Sequence, residues 1–191
     1  MNPYILYTAL AGAVVCLLWS GYRWVRNQTL PKDTLPAGKS ISKANSLLIP
    51  VIRDQLQAGV QTVTFRVHGR SMRPFLDNGR DKVILQLPEP DALKRGDVVL
   101  AEITPGFYVL HRIIRREGNQ LTLKGDGNPV NTETCKVENV IGIAKGFLRK
   151  NRLQPDLVTD WKWRTYSKIW MALDPFRRYL LAIYRRTLLR L

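Results

Sequence analysis

Only two cysteines occur, Cys16 and Cys135, in segments of unlike character and without a paired spacing. That speaks against a disulfide framework and a thiolate metal site, leaves the redox compartment open, and gives no reason to expect a cofactor. Histidine is equally scarce: His68 and His111 are the whole supply of imidazole. Any reaction that needs a side chain able to exchange a proton near neutral pH has those two first candidates. Acidic residues are few, 15 against 30 basic ones, for a formal net charge of +15 over 191 residues. The excess is uneven: Lys145 to Leu191 holds 12 basic and 3 acidic residues, whereas Val60 to Ala144 holds 12 and 10. The positive field therefore belongs to the tail. No repeat with a period of about 20 to 50 residues is present, which excludes solenoids and propellers.

One further absence is local. PYILYTALAGAVVCLLWSGY, Pro3 to Tyr22, contains no charged residue and as a helix is long enough to cross a hydrocarbon core of ~30 Å. Residues 1–26 are accordingly expected to form a single-pass membrane anchor, with Trp19, Tyr22 and Trp24 as an interfacial aromatic belt ahead of Arg23 and Arg26. A cleaved signal peptide is the rival, but it needs a basic segment first, and no Lys or Arg precedes the run. A buried helix of a soluble core is the third reading. Arg23, Arg26, Lys32, Lys39 and Lys43 all follow the span, so the positive-inside rule would keep the rest of the chain cytoplasmic.

Residues 27–59 read as a linker, rich in Pro, Gly, Ser, Thr and Lys as far as Ala44, followed by a short helix from Pro50 to Gly59. From Val60 the hydrophobic period becomes two. VQTVTFRV, KVILQL, DVVLAEI, FYVLHRIIRRE, NQLTLKG and VIGIAKGFL are β-branched or aromatic runs separated by Gly, Pro, Asn and Asp, and REGNQ is a hairpin signal between the fourth and fifth. Residues 60–148 are therefore predicted to be a compact, mainly β domain.

Residues 149–191 return to helical spacing. Trp163, Tyr166, Trp170 and Leu173 form one stripe, Asp174-Pro175 restarts the helix, and Phe176, Leu180, Ile183 and Leu191 continue it. Arginine and lysine stand between them. Such a tail suits an anionic lipid surface, or else packs on the β domain with its basic backs in solvent. Nucleic acid is the weakest partner of the three, because basic residues are present but no recognised nucleic-acid motif is.

Four segments in order carry the chemistry. Ser71-Met72-x-Pro74 follows the first strand, Arg95-Gly96-Asp97-Val98-Val99 opens the third, His111-Arg112 lies within the fourth, and Lys124-Gly125-Asp126-Gly127-Asn128 ends the fifth. The order resembles the type I signal peptidases, in the endoplasmic-reticulum, archaeal and sporulation-associated branch that has histidine where the common bacterial enzymes have lysine. The resemblance spans Val60 to Ala144. It implies a signal-peptidase-like β domain and a serine endopeptidase that removes signal or leader peptides with small residues before the cut. It also implies a domain that works on the far side of the membrane, which conflicts with the cytoplasmic placement from the positive-inside rule and leaves the side of the domain open. In it Ser71 is the nucleophile, His111 the general base, Met72 part of the substrate floor, and Asp126 the carboxylate that orients His111. A backbone N–H near Ser71 would stabilise the oxyanion, a role worth ~3 kcal/mol.

Two departures stand out. Where that branch often has a further aspartate, this chain reads Pro129-Val130-Asn131-Thr132, and a Gly-Asp after the serine segment is interrupted as Gly79-Arg80-Asp81. Asp97 is read as a brace, and His68 as a surface residue. Two other functions fit the same residues: a self-cleaving peptidase like the SOS repressors, which share the Ser-Met segment, with Ala37-Gly38 as the bond cut; and a catalytically inactive membrane adaptor.

Overall fold

The structure is a computed structural model and describes residues 41–187. The expected anchor over 1–26 and the linker up to residue 40, including Ala37-Gly38, lie outside the described residues. No helix of the described residues is long and apolar enough to cross a membrane.

Eight antiparallel strands form one sheet: β1 (Val63–Arg66), β2 (Lys82–Gln86), β3 (Val98–Thr104), β4 (Phe107–Glu117), β5 (Gln120–Lys124), β6 (Glu133–Lys136), β7 (Val140–Leu148) and β8 (Asp156–Leu157). Their order is β1-β2-β7-β3-β4-β5-β6, with β8 pairing on β7. Alternation along β3 sends Val98 and Leu100 into one apolar cluster and Val99 and Ala101 into another. A strand buried on both faces reads as a continuous apolar run, as VVLA does. The β4–β5 hairpin turns at Gly118 with φ of 56°, in the left-handed region that glycine adopts without steric cost.

Helix α1 (Ile41–Gln57) precedes the sheet and begins nine residues before the expected start. Pro50 lies inside it. Proline gives no N–H to the carbonyl four residues back, but Ile49, Ile52 and Leu56 are buried in the first cluster and Arg53 donates to Glu102 of β3 at 2.5 Å. Tertiary burial outweighs the missing bond. Two helices follow the sheet, α2 (Trp161–Ala172) and α3 (Arg177–Thr187), joined by a 3-10 turn at Asp174–Phe176. On α2, Trp163 sits between Phe75 and Phe147, with ring centroids at 4.4 and 4.7 Å. The tail thus closes the first core, and of its basic residues on α2 and α3 only Arg177 is buried with it.

Two strands were not legible in the sequence, β6 and β8. Both are short, and in ETCK only Cys135 is buried. Burial in the second cluster pushes the Cys135 thiol up to about 11, which leaves it a packing residue rather than a nucleophile.

The turn between β1 and β2 carries Ser71, and its closure answers for the interrupted Gly-Asp. Asp81 is fully buried and accepts from the N–H groups of Asp77 at 2.8 Å and Lys150 at 2.9 Å, and from Arg80 at 2.7 and 2.9 Å. Burial works to raise its pKa, but the bonds from Arg80 and the two backbone groups outweigh it and hold the carboxyl below its ordinary value. A carboxylate held low stabilises the fold above its unfolded pKa near ~4, and that contribution is lost as pH falls through the folded value. Asp81→Asn is therefore expected to cost about 2–4 kcal/mol at neutral pH. In urea titrations the gap to the unsubstituted chain should close below pH ~4.

Candidate active site

The cleft beside the serine turn holds about 290 Å³ and is lined by Val67, His68, Ser71, Met72, residues 107–111, Asn128 and Glu133 among others. Ser71 is half-buried at its edge. Met72, 2% exposed, belongs to the first core and also forms part of the cleft lining. His68 is exposed at the rim.

His111 comes from β4, paired across from Val99, and is almost wholly buried. Its Nδ1 lies 2.8 Å from Oε2 of Glu133. An ionised carboxylate can only accept, so the proton sits on Nδ1 and the lone pair on Nε2. Nε2 and the Ser71 side chain both border Gly125. A Cβ built on Gly125 would meet the Ser71 carbonyl oxygen at 2.5 Å, His111 Nε2 at 3.0 Å and Ser71 Cβ at 3.0 Å. Serine and imidazole therefore close on the same small volume, and only a glycine leaves it empty.

The carboxylate on the histidine is thus Glu133, not Asp126 as the resemblance implied. Asp126 is fully buried, and Arg112 takes both its oxygens, Nε to Oδ1 at 2.9 Å and Nη2 to Oδ2 at 2.8 Å. A bidentate guanidinium satisfies a buried carboxylate better than a single imidazole N–H does. Asp126 still acts on the site through its neighbours: Gly125 borders Ser71 and His111, and the Gly127 N–H donates to the Ser71 carbonyl at 2.7 Å. Glu133 stands one residue beyond the stretch where a further carboxylate was sought, on the strand that the sequence reading missed. A glutamate just past Gly-Asp-x-Asn was the available signal.

Burial pushes the His111 pKa below its ordinary value, against the raising pull of Glu133 and, more weakly, Asp126. This reverses the direction expected from a carboxylate partner alone, because a desolvated imidazolium is costly. Lys124, the other candidate for a buried base, is only 5% exposed, but its Nζ is bound to Asp174 at 2.8 Å. Asp97 accepts from the Lys94 N–H at 2.9 Å and braces the turn into β3, as read from sequence.

A family model described as Peptidase S24-like matches residues 32–145. The chain belongs to that family. Membership in the Peptidase S24-like family implies a serine peptidase. No curated protein matches the chain. The S24-like match covers the serine turn, His111 and Glu133, and it begins in the linker, so that Ala37-Gly38 falls within it.

The imidazole of His111 should titrate below ~6.5 in an NMR pH series, and Glu133→Gln should move it lower still, since the variant removes the charge that favours imidazolium. Asp126→Asn should instead appear as lost stability of about 3–5 kcal/mol, because it leaves Arg112 buried without its counter-charge. Gly125→Ala should perturb the His111 ring resonances at every pH.

Proposed function

We propose that the chain is a membrane-anchored serine endopeptidase that removes signal or leader peptides. Ser71 Oγ attacks the scissile carbonyl as His111 Nε2 takes its proton. The C–N bond breaks, the same proton passes from His111 to the leaving amine, and an acyl-serine remains. Water, deprotonated by His111, then releases the acid and restores the serine. Glu133 holds the imidazole in the productive tautomer throughout. Met72 contributes to the floor under the substrate.

The observation that carries this reading is the single cleft in which Ser71 and the Nε2 side of His111 adjoin while Nδ1 is bound to a carboxylate. A second observation favours an extended substrate. Phe107 to His111 pair with β3 on one edge, whereas β5 begins its pairing with β4 only at Arg112. Among the described residues no strand fills the other edge, which leaves backbone groups beside the cleft for a peptide to join as a strand.

Self-cleavage is the competing function, favoured by the S24-like match extending over Ala37-Gly38. Incubating the full chain with a panel of leader peptides separates the two. Cleavage in trans with an intact chain supports leader processing, and loss of the segment before Gly38 without cleavage in trans supports self-cleavage. Ser71→Ala should abolish either by several orders of magnitude with the fold unchanged; a folded Ser71→Ala protein that still cleaves would exclude the serine mechanism. Because His111 must be neutral to accept the proton, log kcat/KM should rise with a slope near one through its pKa and then level off. Glu133→Gln should shift that rise to lower pH and lower the plateau, while Lys124→Ala should keep the same profile.

A further inference from the structure

Helices α2 and α3 share one design. On α2 the buried positions are Trp163, Ser167 and Trp170, and on α3 they are Arg177 and Leu181. These positions are three, four and seven apart and mark the side turned to the protein. The opposite sides carry large apolar groups among the charges: Trp161 is 71% exposed and Ile183 58%, with Ile169 and Tyr179 also exposed, and Phe176 of the connecting turn is 56% exposed. Cations flank these groups. Residues 161–187 hold seven basic residues and one acidic one, and that one, Asp174, is already bound to Lys124 and Arg177. Two of the cations lie over the exposed rings, Arg178 at 4.5 Å from the Tyr179 centroid and Lys162 at 5.9 Å from that of Trp161.

We infer that the outer sides of α2 and α3 dock on an anionic lipid bilayer. A bilayer surface takes both kinds of group at once, since the rings and aliphatic chains enter the acyl boundary while lysine and arginine reach up to the phosphates. A nucleic acid would match the cations but leave Phe176 and Ile183 in water. An acidic protein groove is less suited, because the apolar groups are spread over two helices and interrupted by charge rather than gathered into one patch. Arg185 reaches to within 3.5 Å of the Gly127 carbonyl, which ties α3 to the turn after β5. The inference does not rest on the peptidase reading.

The test uses the full chain with Cys16→Ala, reconstituted in vesicles, and a nitroxide on a single introduced cysteine. Ile183→Cys and Trp161→Cys report on the docking sides, and Leu153→Cys, at a 96% exposed position outside them, is the control. In phosphatidylglycerol–phosphatidylcholine vesicles the two docking labels should lose about tenfold of their accessibility to a water-soluble relaxation agent, and the control should not. The protection should fall in phosphatidylcholine alone and at ~1 M salt, where the Debye length is ~3 Å. Reversing the outer cations together (Lys162→Glu, Lys168→Glu, Arg178→Glu, Arg186→Glu) should abolish it, with circular dichroism confirming the fold. Ile183→Asp, labelled at Trp161→Cys, provides a second variant with only one exposed residue changed. Labels that stay accessible in anionic vesicles overturn the proposal, as does protection that survives charge reversal or that appears only with an added oligonucleotide. Ser71→Ala should dock normally, which separates a failure of docking from a failure of catalysis.

Discussion

A guanidinium and a carboxylate, both fully withdrawn from water, organise this molecule. Arg112 and Asp126 bind each other through two parallel hydrogen bonds, and the remaining Arg112 nitrogen donates to the Gly96 carbonyl at 2.8 Å and to Ser167 at 2.5 Å. The Trp163 ring lies against the guanidinium at 5.0 Å. Strand β4, the turn into β3, the turn after β5 and helix α2 thus meet at one ion pair. Desolvating two charges is unfavourable and is offset only when geometry and further hydrogen bonds are close to ideal. Such a pair contributes registry more than net stability: any slip of β4 against the Gly125–Asn128 turn would strand a charge in the core. Since His111 precedes Arg112 and Gly125 precedes Asp126, the registry of the pair is also that of histidine against serine.

The proposed general base shows the opposite use of burial. His111 is desolvated without a full counter-charge of its own, because Glu133 is partly exposed and its charge is screened by solvent. The imidazole consequently stays neutral at pH values where an exposed histidine would hold a proton. The chain employs one kind of burial to lock charge in place and another to keep charge away, on adjacent residues of a single strand. Alternation makes this possible, since His111 and Arg112 project to opposite faces of β4.

Much of this was legible in the residues. Period-two runs located six of the eight strands, because each presents β-branched or aromatic side chains to a core. The Ser-Met-x-Pro segment and His111 could be singled out because so few bases exist. What was not legible has physical causes. Strand β6 has a single buried side chain and derives its pairing from β5, so no periodicity announces it; with it went Glu133. Helix α1 was cut short at Pro50 because local propensity opposes it, whereas its burial against the sheet is a tertiary fact. Asp126 was assigned to the histidine because a sequence cannot show which of two adjacent side chains, His111 or Arg112, faces a given carboxylate.

The contacts of the tail have a temporal consequence. Ser167 completes the coordination of Arg112, Asp174 that of Lys124, and Trp163 the aromatic cover of Phe75 and Phe147. All three partners lie later in the chain than every strand of the sheet. During synthesis the strands therefore leave the ribosome with a buried arginine, a buried lysine and a core wall still waiting for residues not yet made. Domains that fold as they emerge usually do so from contacts already available. Here three contacts of the sheet with its tail can form only after the helices behind it have been delivered, so the order in which residues arrive makes the packing of Arg112, Lys124 and the Phe75–Phe147 wall a late event.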